Sequence, residues 1–402
     1  MTAMGDLPED LVEEILSKVP MTSLRAIRST CKKWNFLSKN RIFGYNKATA
    51  ARKQYMGIMM MDSRVCSMEF DLQGIQNDNN LVVDDPSIII KQVSGRLEQI
   101  EVSQVFHCDG LILCVVKDNT GLFVWNPYLG QTRWIQPREN YKYNSLDRYA
   151  LGYDKNRNHK ILRIFDLYPN PSRNRVFRYE VYDFSSNSWR ILDVKLEWDI
   201  QSHTRCVSFK GNTYFQAQKK KVEGGVKTTN IEDVLLCFDF TNERFGPPLS
   251  LPFNSYNAEV FVSLSCVRKE EKLAMLYQRW GTPQTIEFFV TDKIDPNEVL
   301  WRKFLTTSTG FHVDTFSGSF FIDEEKNVAV VVDLDMRNES FCYQTVYIIG
   351  QDDYFKSVNI GVAPNLAISY PGWNPTAYCV PLVCSSSYVP SLVQLQINKD
   401  GS

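Results

Sequence analysis

Histidine is scarce in this chain of 402 residues: there are four, standing singly at His107, His159, His203 and His312. Hydrolytic sites and most metal centres draw on clustered histidines, so this scarcity leaves them little material. Ten cysteines are present, but no C-x-x-C pair occurs among them. That spacing argues against zinc ribbons and thioredoxin-like redox chemistry, and it reads as reduced core thiols. No Walker loop, no G-x-G-x-x-G after a strand and no H-E-x-x-H is found. Net charge is −1, from 45 basic and 46 acidic residues, so nothing global points to nucleic acid or to a membrane surface. The longest apolar runs, 111–116 and 328–332, are strand-length and far short of the roughly 18 residues a membrane helix needs. The first residues are acidic and lack an apolar h-region, so no signal peptide is expected and the chain reads as cytoplasmic or nuclear.

What is present begins at the N-terminus. Pro8 suits a first helical turn, and Glu9, Asp10, Glu13 and Glu14 crowd the end where the helix dipole favours acids. Leu11, Val12, Ile15, Leu16 and Val19 recur at helical spacing, and Pro20 ends the helix. Two further short helices are expected, one carrying Leu24 and Ile27, the other Cys31, Trp34 and Leu37. A unit of this size buries too little surface to stand alone, so its apolar stripe packs on the rest of the chain or docks on a partner. Between 22 and 53 the charges are all basic, which reads first as a solvated helical face.

The order Leu7-Pro8-Glu9-Asp10-Leu11, Glu14-Ile15-Leu16, Val19-Pro20, Leu24 and Cys31-Lys32-Lys33-Trp34 closely resembles an F-box. The resemblance implies docking on a Skp-type adaptor and, through it, a cullin. Carried over by position, Leu7, Pro8, Leu11, Ile15, Leu16, Leu24 and Trp34 would line the adaptor interface or order the helices behind it.

Beyond residue 54 the helical signal gives way to short β-branched and aromatic runs between polar turns. One unit recurs: an alternating apolar strand, an acidic or Asn turn, then an aromatic on the returning strand. Its copies end at Asp71, Asn126, Asp183, Asp239, Asp292 and Gly350, with Trp134, Trp189, Phe245, Trp301 and Phe355 following the last five. The spacing is close to the roughly 50-residue period of a kelch blade. One such sheet cannot bury both of its faces, whereas a ring of them can. The expectation is a six-bladed β-propeller, with the final apolar run, 391–395, pairing with 56–61 to close the ring. A β-sandwich fits the turns but not the period.

His107-Cys108-Asp109-Gly110-Leu111, Val124-Trp125-Asn126-Pro127, Tyr182-Asp183-Phe184 through Trp189-Arg190 and Leu236-Cys237-Phe238-Asp239 look like the plant F-box-associated domain of type 1. That resemblance implies a propeller that recruits a target protein. The fold class is thus α+β multidomain: a three-helix F-box at 4–46, a linker at 47–54 and an all-β propeller at 55–397. The expected function is substrate recognition in an SCF (Skp–cullin–F-box) ubiquitin ligase. No cofactor, no metal and no catalytic residue is expected. A non-degradative scaffold and a glycoprotein-reading propeller, for which Trp280 and Trp373 are available, are the alternatives. The polar stretches 169–175 and 219–230 are candidate target-binding loops by length and composition.

Other candidates are weak on chemical grounds. His107, Cys108 and Asp109 are adjacent, and neighbours on a strand point to opposite faces, so they form no triad. A copper-radical oxidase needs more clustered histidine than this chain has. Asp333 and Asp335 share a strand face and read as solvated turn acids, and Lys219-Lys220-Lys221 reads as a hairpin tip.

Overall fold

A computed structural model describes residues 8, 11–12, 15, 32, 34, 54–61, 63–72, 87–92, 97, 99–117, 121–138, 147–166, 177–200, 206–219, 233–253, 260–267, 272–279, 285–314, 318–335, 341–364 and 391–395. Six antiparallel sheets follow one another along the chain. Sheet one holds β1 (Gln54–Met61), β2 (Arg64–Asp71) and β3 (Ser87–Gln92). Sheet two holds β4 (Val102–Cys108), β5 (Leu111–Val116), β6 (Leu122–Asn126) and β7 (Gln131–Ile135). Sheet three holds β8 (Arg148–Tyr153), β9 (His159–Asp166), β10 (Phe177–Asp183) and β11 (Ser188–Leu192). Sheet four is the most broken, with β12 (Trp198–Asp199), β13 (Val207–Phe209), β14 (Asn212–Lys219), β15 (Asp233–Asp239), β16 (Arg244–Phe245) and β17 (Leu249–Ser250). Sheet five holds β18 (Val260–Val267), β19 (Lys272–Arg279), β20 (Thr285–Asp295) and β21 (Glu298–Ser308). Sheet six holds β22 (Ser319–Asp323), β23 (Val328–Asp335), β24 (Phe341–Ile349) and β25 (Phe355–Pro364).

Each sheet is buried on both faces, which is why its strands read as nearly continuous apolar runs. In β15, Val234, Leu236 and Phe238 pack towards sheet three, while Leu235 and Cys237 pack towards sheet five. The same division recurs around the molecule. It returns to its start, because Met68 and Phe70 of β2 share a core with Val330 and Val346 of sheet six. The sheets therefore form a closed all-β propeller.

The expected count of six complete blades is not what the described residues show. Five sheets carry four or more strands, and sheet one carries three. Those three occupy the second, third and outermost positions. Val102 N donates to Ser63 O (2.8 Å), which puts the β1–β2 turn at the end of the ring where β4 begins. Among the described residues the axis is ringed by β4, β8, β13, β18 and β22 alone. The repeat keeps its phase in sheets one to four, where Asp71, Asn126, Asp183 and Asp239 end the third strand position; in sheet five the turn acid is Asp295 and not Asp292, which lies within β20, and in sheet six Gly350 stands just past β24.

That residue makes the turn. Asn126 Oδ1 accepts from Leu129 N (3.0 Å), Asp183 Oδ1 from Ser185 N (2.8 Å) and Asp239 Oδ1 from Thr241 N (2.7 Å). Four residues on, the backbone is left-handed at Gly130, Asn187 and Glu243 (φ 62°, 52° and 53°). Glu243 is the costly member, and ion pairs to Lys160 (2.8 Å) and Arg190 hold it there.

Neighbouring sheets are tied by a recurrent pair of bonds. A cation from the preceding sheet donates to the carbonyl just after the turn acid. Arg133 Nη1 reaches Phe184 O (3.1 Å), Lys160 Nζ reaches Phe240 O (3.2 Å) and Lys326 Nζ reaches Leu72 O. The repeat's outer tryptophans donate backwards, Trp189 Nε1 to Gln136 O (2.7 Å) and Trp301 Nε1 to Ser250 O (3.1 Å).

The C-terminal run departs from expectation. Residues 391–395 do not pair with β1; they dock on sheet two. Asn126 Nδ2 donates to Ser391 O and Val393 O (both 2.9 Å), Leu395 N donates to Gln131 Oε1 (3.0 Å), and Leu395 is 1% exposed in the core between sheets two and three. The buried amide supplies two donors that a β1 edge would have supplied as backbone. Asn126→Ala should cost about 1–3 kcal/mol in urea unfolding. Asn126→Asp keeps the turn acceptor but turns acid oxygens onto two carbonyls, so it should cost at least as much. Gln131→Ala, at a partly exposed contact, should cost less.

Candidate functional site

Burial shifts the protonation of two described histidines and two described cysteines away from what nucleophilic chemistry uses. Burial lowers His107 and His159 to about 4, and His107 Nε2 accepts from Gly110 N (3.2 Å) inside its own hairpin. Burial pushes the Cys206 and Cys237 thiols up to about 12, the reverse of what a nucleophile needs. Among the described residues no three His, Cys, Asp or Glu side chains gather as a metal site would require. No helix among them is long and apolar enough to cross a membrane. Asp333 is not a solvated turn acid: it is 2% exposed and accepts from Asp314 N at 3.2–3.3 Å. A backbone donor from the connection between β21 and β22 meets part of its hydrogen-bonding need.

One polar cluster had no sequence signature. Between sheets two and three, Arg163 donates from Nε (2.9 Å) and Nη2 (2.6 Å) to Asp147 Oδ2, and from Nη1 to Glu180 Oε1 (2.8 Å). Tyr149 Oη donates to the same Asp147 oxygen (3.1 Å), and Arg133 Nη2 meets Tyr182 Oη (3.0 Å) and Asn187 Oδ1 (2.7 Å) lower in the seam. Glu180 is 0% exposed, and among the described residues its Oε2 has no hydrogen-bond partner.

The expected adaptor-docking residues divide by burial. Val12 N donates to Pro8 O (3.1 Å), which starts the first helix, with Leu11, Val12 and Ile15 inside it. Pro8 is exposed, Leu11 is 46% exposed and Ile15 is half-buried; at spacings of three and four they share one face. Val12 at 0% and Trp34 at 2% are interior. Leu7, Leu16 and Leu24 lie outside the described residues.

The two candidate target loops also lie outside them, except for Lys219. Their anchors are placed. β9 ends at Asp166 and β10 begins at Phe177; β14 ends at Lys219 and β15 begins at Asp233. Both connections leave adjacent sheets at the same end of the ring, opposite the acid-stabilised turns. Trp280 and Trp373 lie outside the described residues as well. A groove of about 370 Å³ opens outward between sheets three and four, lined by 193–198 and 244–246.

The description "F-box associated beta propeller domain" matches residues 56–395, and "F-box domain" matches 4–46. The chain belongs to the F-box-associated β-propeller family. An F-box/kelch-repeat protein of Arabidopsis thaliana is 74% identical over all of this chain and 98% of its own length. An F-box protein of the same plant is 52% identical over 98% of this chain and all of its own length. Among solved structures, AofleA from Arthrobotrys oligospora covers 77% of the chain and 87% of its own at 10% identity and a TM-score of 0.42. A nidogen/laminin complex covers 76% and 93% at 10% identity and 0.38. Neither structural likeness bears on function.

Burial pushes the Glu180 carboxyl above the usual range, and Arg163 opposes the shift. A carboxyl that holds its proton more readily in the folded chain stabilises the fold at low pH. That contribution is lost as pH rises through the folded value. Glu180→Gln should therefore flatten the dependence of unfolding stability on pH above the ordinary carboxylate range, with its benefit growing towards the alkaline side until the folded carboxyl is ionised.

Proposed function

We propose that this chain is the substrate-recognition subunit of an SCF ubiquitin ligase, working in the cytoplasm or nucleus. The F-box would clamp a Skp-type adaptor and, through it, a cullin; the propeller would hold a target protein. The chain would form and break no bonds itself. Tethering raises the effective concentration of target lysines at the ubiquitin carrier, which is sufficient catalysis for this role.

The carrying observation is the sorted helix. Pro8, Leu11 and Ile15 offer an apolar face, while Val12 and Trp34 are buried. An apolar residue as exposed as Leu11, inside a matched F-box, is what a docking face presents. The strands that flank both candidate loops are open at one end of the ring, which supports that end as the target side.

Co-purification of the full chain with a Skp-type adaptor tests the reading. Leu11→Ala/Ile15→Ala should weaken capture by about thirtyfold or more while the chain stays folded. Trp34→Ala should weaken it only by unfolding the helical unit, seen as a loss of helical circular dichroism. No capture by the intact, folded chain would sink the proposal and leave a scaffold.

A further inference from the structure

Residues 391–395 reach sheets two and three as an added element. Each of those sheets already has four strands, and the run joins neither as a fifth. Burial nevertheless alternates along it: Ser391 and Leu395 are buried and Val393 is half-buried, while Leu392 and Gln394 are exposed. An extended chain presents the main-chain groups of residues i, i+2 and i+4 along one edge. Here Ser391 O, Val393 O and Leu395 N are all engaged, and all by side chains. Asn126 Nδ2 meets the two carbonyls (2.9 Å each), and Gln131 Oε1 meets the N–H (3.0 Å). Two amides stand in for a partner strand.

Amides that bind main chain read its extension and direction, not its sequence. Selection falls to the inward side chains. Leu395 lies in the core that Tyr182 and Phe184 share, and Val393 and Trp189 pack against the same core from its margin. Gln394 adds an exposed bond, its Oε1 accepting from Gln131 Nε2 (2.7 Å). Releasing the run breaks no bond between the sheets: Arg133 Nη1 stays on Phe184 O, and Asn126 Oδ1 stays on Leu129 N. A segment held by so few main-chain bonds, outside any ladder, opens at lower cost than the strands around it.

We propose that the outer seam between sheets two and three is a peptide-binding groove, filled by 391–395 in the free chain and by an extended segment of the target protein in its place. The inference rests on the target-recruiting reading above and names a segment the propeller recognises. The run itself shows what fits. The incoming segment carries a leucine at the buried position, an aliphatic residue two before it and a small hydroxyl four before it. Its two intervening positions face solvent and are free to vary. It makes again the bonds that the run gives up, so the exchange leaves Asn126 and Gln131 satisfied.

Fluorescence anisotropy on the full chain, with no adaptor present, tests this. The probe is a labelled peptide Pro-Ser-Leu-Val-Gln-Leu-Gln, and its control carries Asp in place of the second Leu. The intact chain should bind the probe weakly, because its tethered run competes at an effective concentration on the order of millimolar. Leu395→Ala weakens the occupant and leaves the groove whole, so it should tighten probe binding about tenfold or more. Val393→Ala, at a half-buried position, should tighten it less and guards against a folding defect in the first variant. Adding Gln131→Ala to Leu395→Ala should weaken the probe again by about threefold or more. The control peptide should bind none of these chains. No probe binding by the folded variants, equal binding by the intact chain and both variants, or binding indifferent to Gln131→Ala overturns the proposal. So does a concentration-dependent dimer of the intact chain that Leu395→Ala abolishes without probe binding, which would give the groove to the run of a second copy. Adaptor capture plays no part in these readings, so the two proposals fail separately.

Discussion

Every sheet in this protein depends on having a neighbour on each side. A strand such as β5, Leu111–Val116, is buried along nearly its whole length because the sheets before and after it both cover it. Removing one neighbour would expose a full face of Leu, Ile, Val and Phe, at roughly 1.5–3 kcal/mol for each large side chain. No partial ring satisfies that demand, so closure between sheet six and sheet one is as necessary as any sequential contact. The Lys326 bond to Leu72 O shows the closing seam using the same device as the seams between sequential neighbours.

Apolar contact is non-directional and does not fix how two sheets slide past each other. The polar bonds at the seams do. A cation donating to one carbonyl, and an indole donating to another, each accept a narrow geometry. The seam between sheets two and three goes further, with Arg133, Arg163, Asp147 and Glu180 all buried. Its ions gain little net stability against their desolvation, so their benefit lies in orientation. This is also where residues 391–395 are pinned, so the most directional seam carries the anchor of the C-terminal run.

The repeat was legible because its chemistry is local. An Asx turn needs an acid or Asn, a tolerant residue four positions on, and a strand either side, all within one short window. The polar seam was not legible, since Asp147, Arg163 and Glu180 meet only after three strands align and no window contains them. The docking of 391–395 was misread for a related reason. Its apolar alternation signals a strand, but the partner was decided by the side-chain donors of Asn126, far away in sequence. On the first helix, Leu11 and Val12 fall within one broad apolar stripe. Burial of Val12 and Trp34, and not periodicity, separates the outer face from the inner.

At the turn end, hydrogen-bonding capacity is spent on building the ring. There Asp183, Asp239, Asp295 and Asp323 already accept from backbone N–H groups of their own turns. The carbonyls that follow Asp183 and Asp239 are taken by cations of the preceding sheet. A partner arriving there would have to displace bonds that hold the sheets in register, and would lose that free energy from binding.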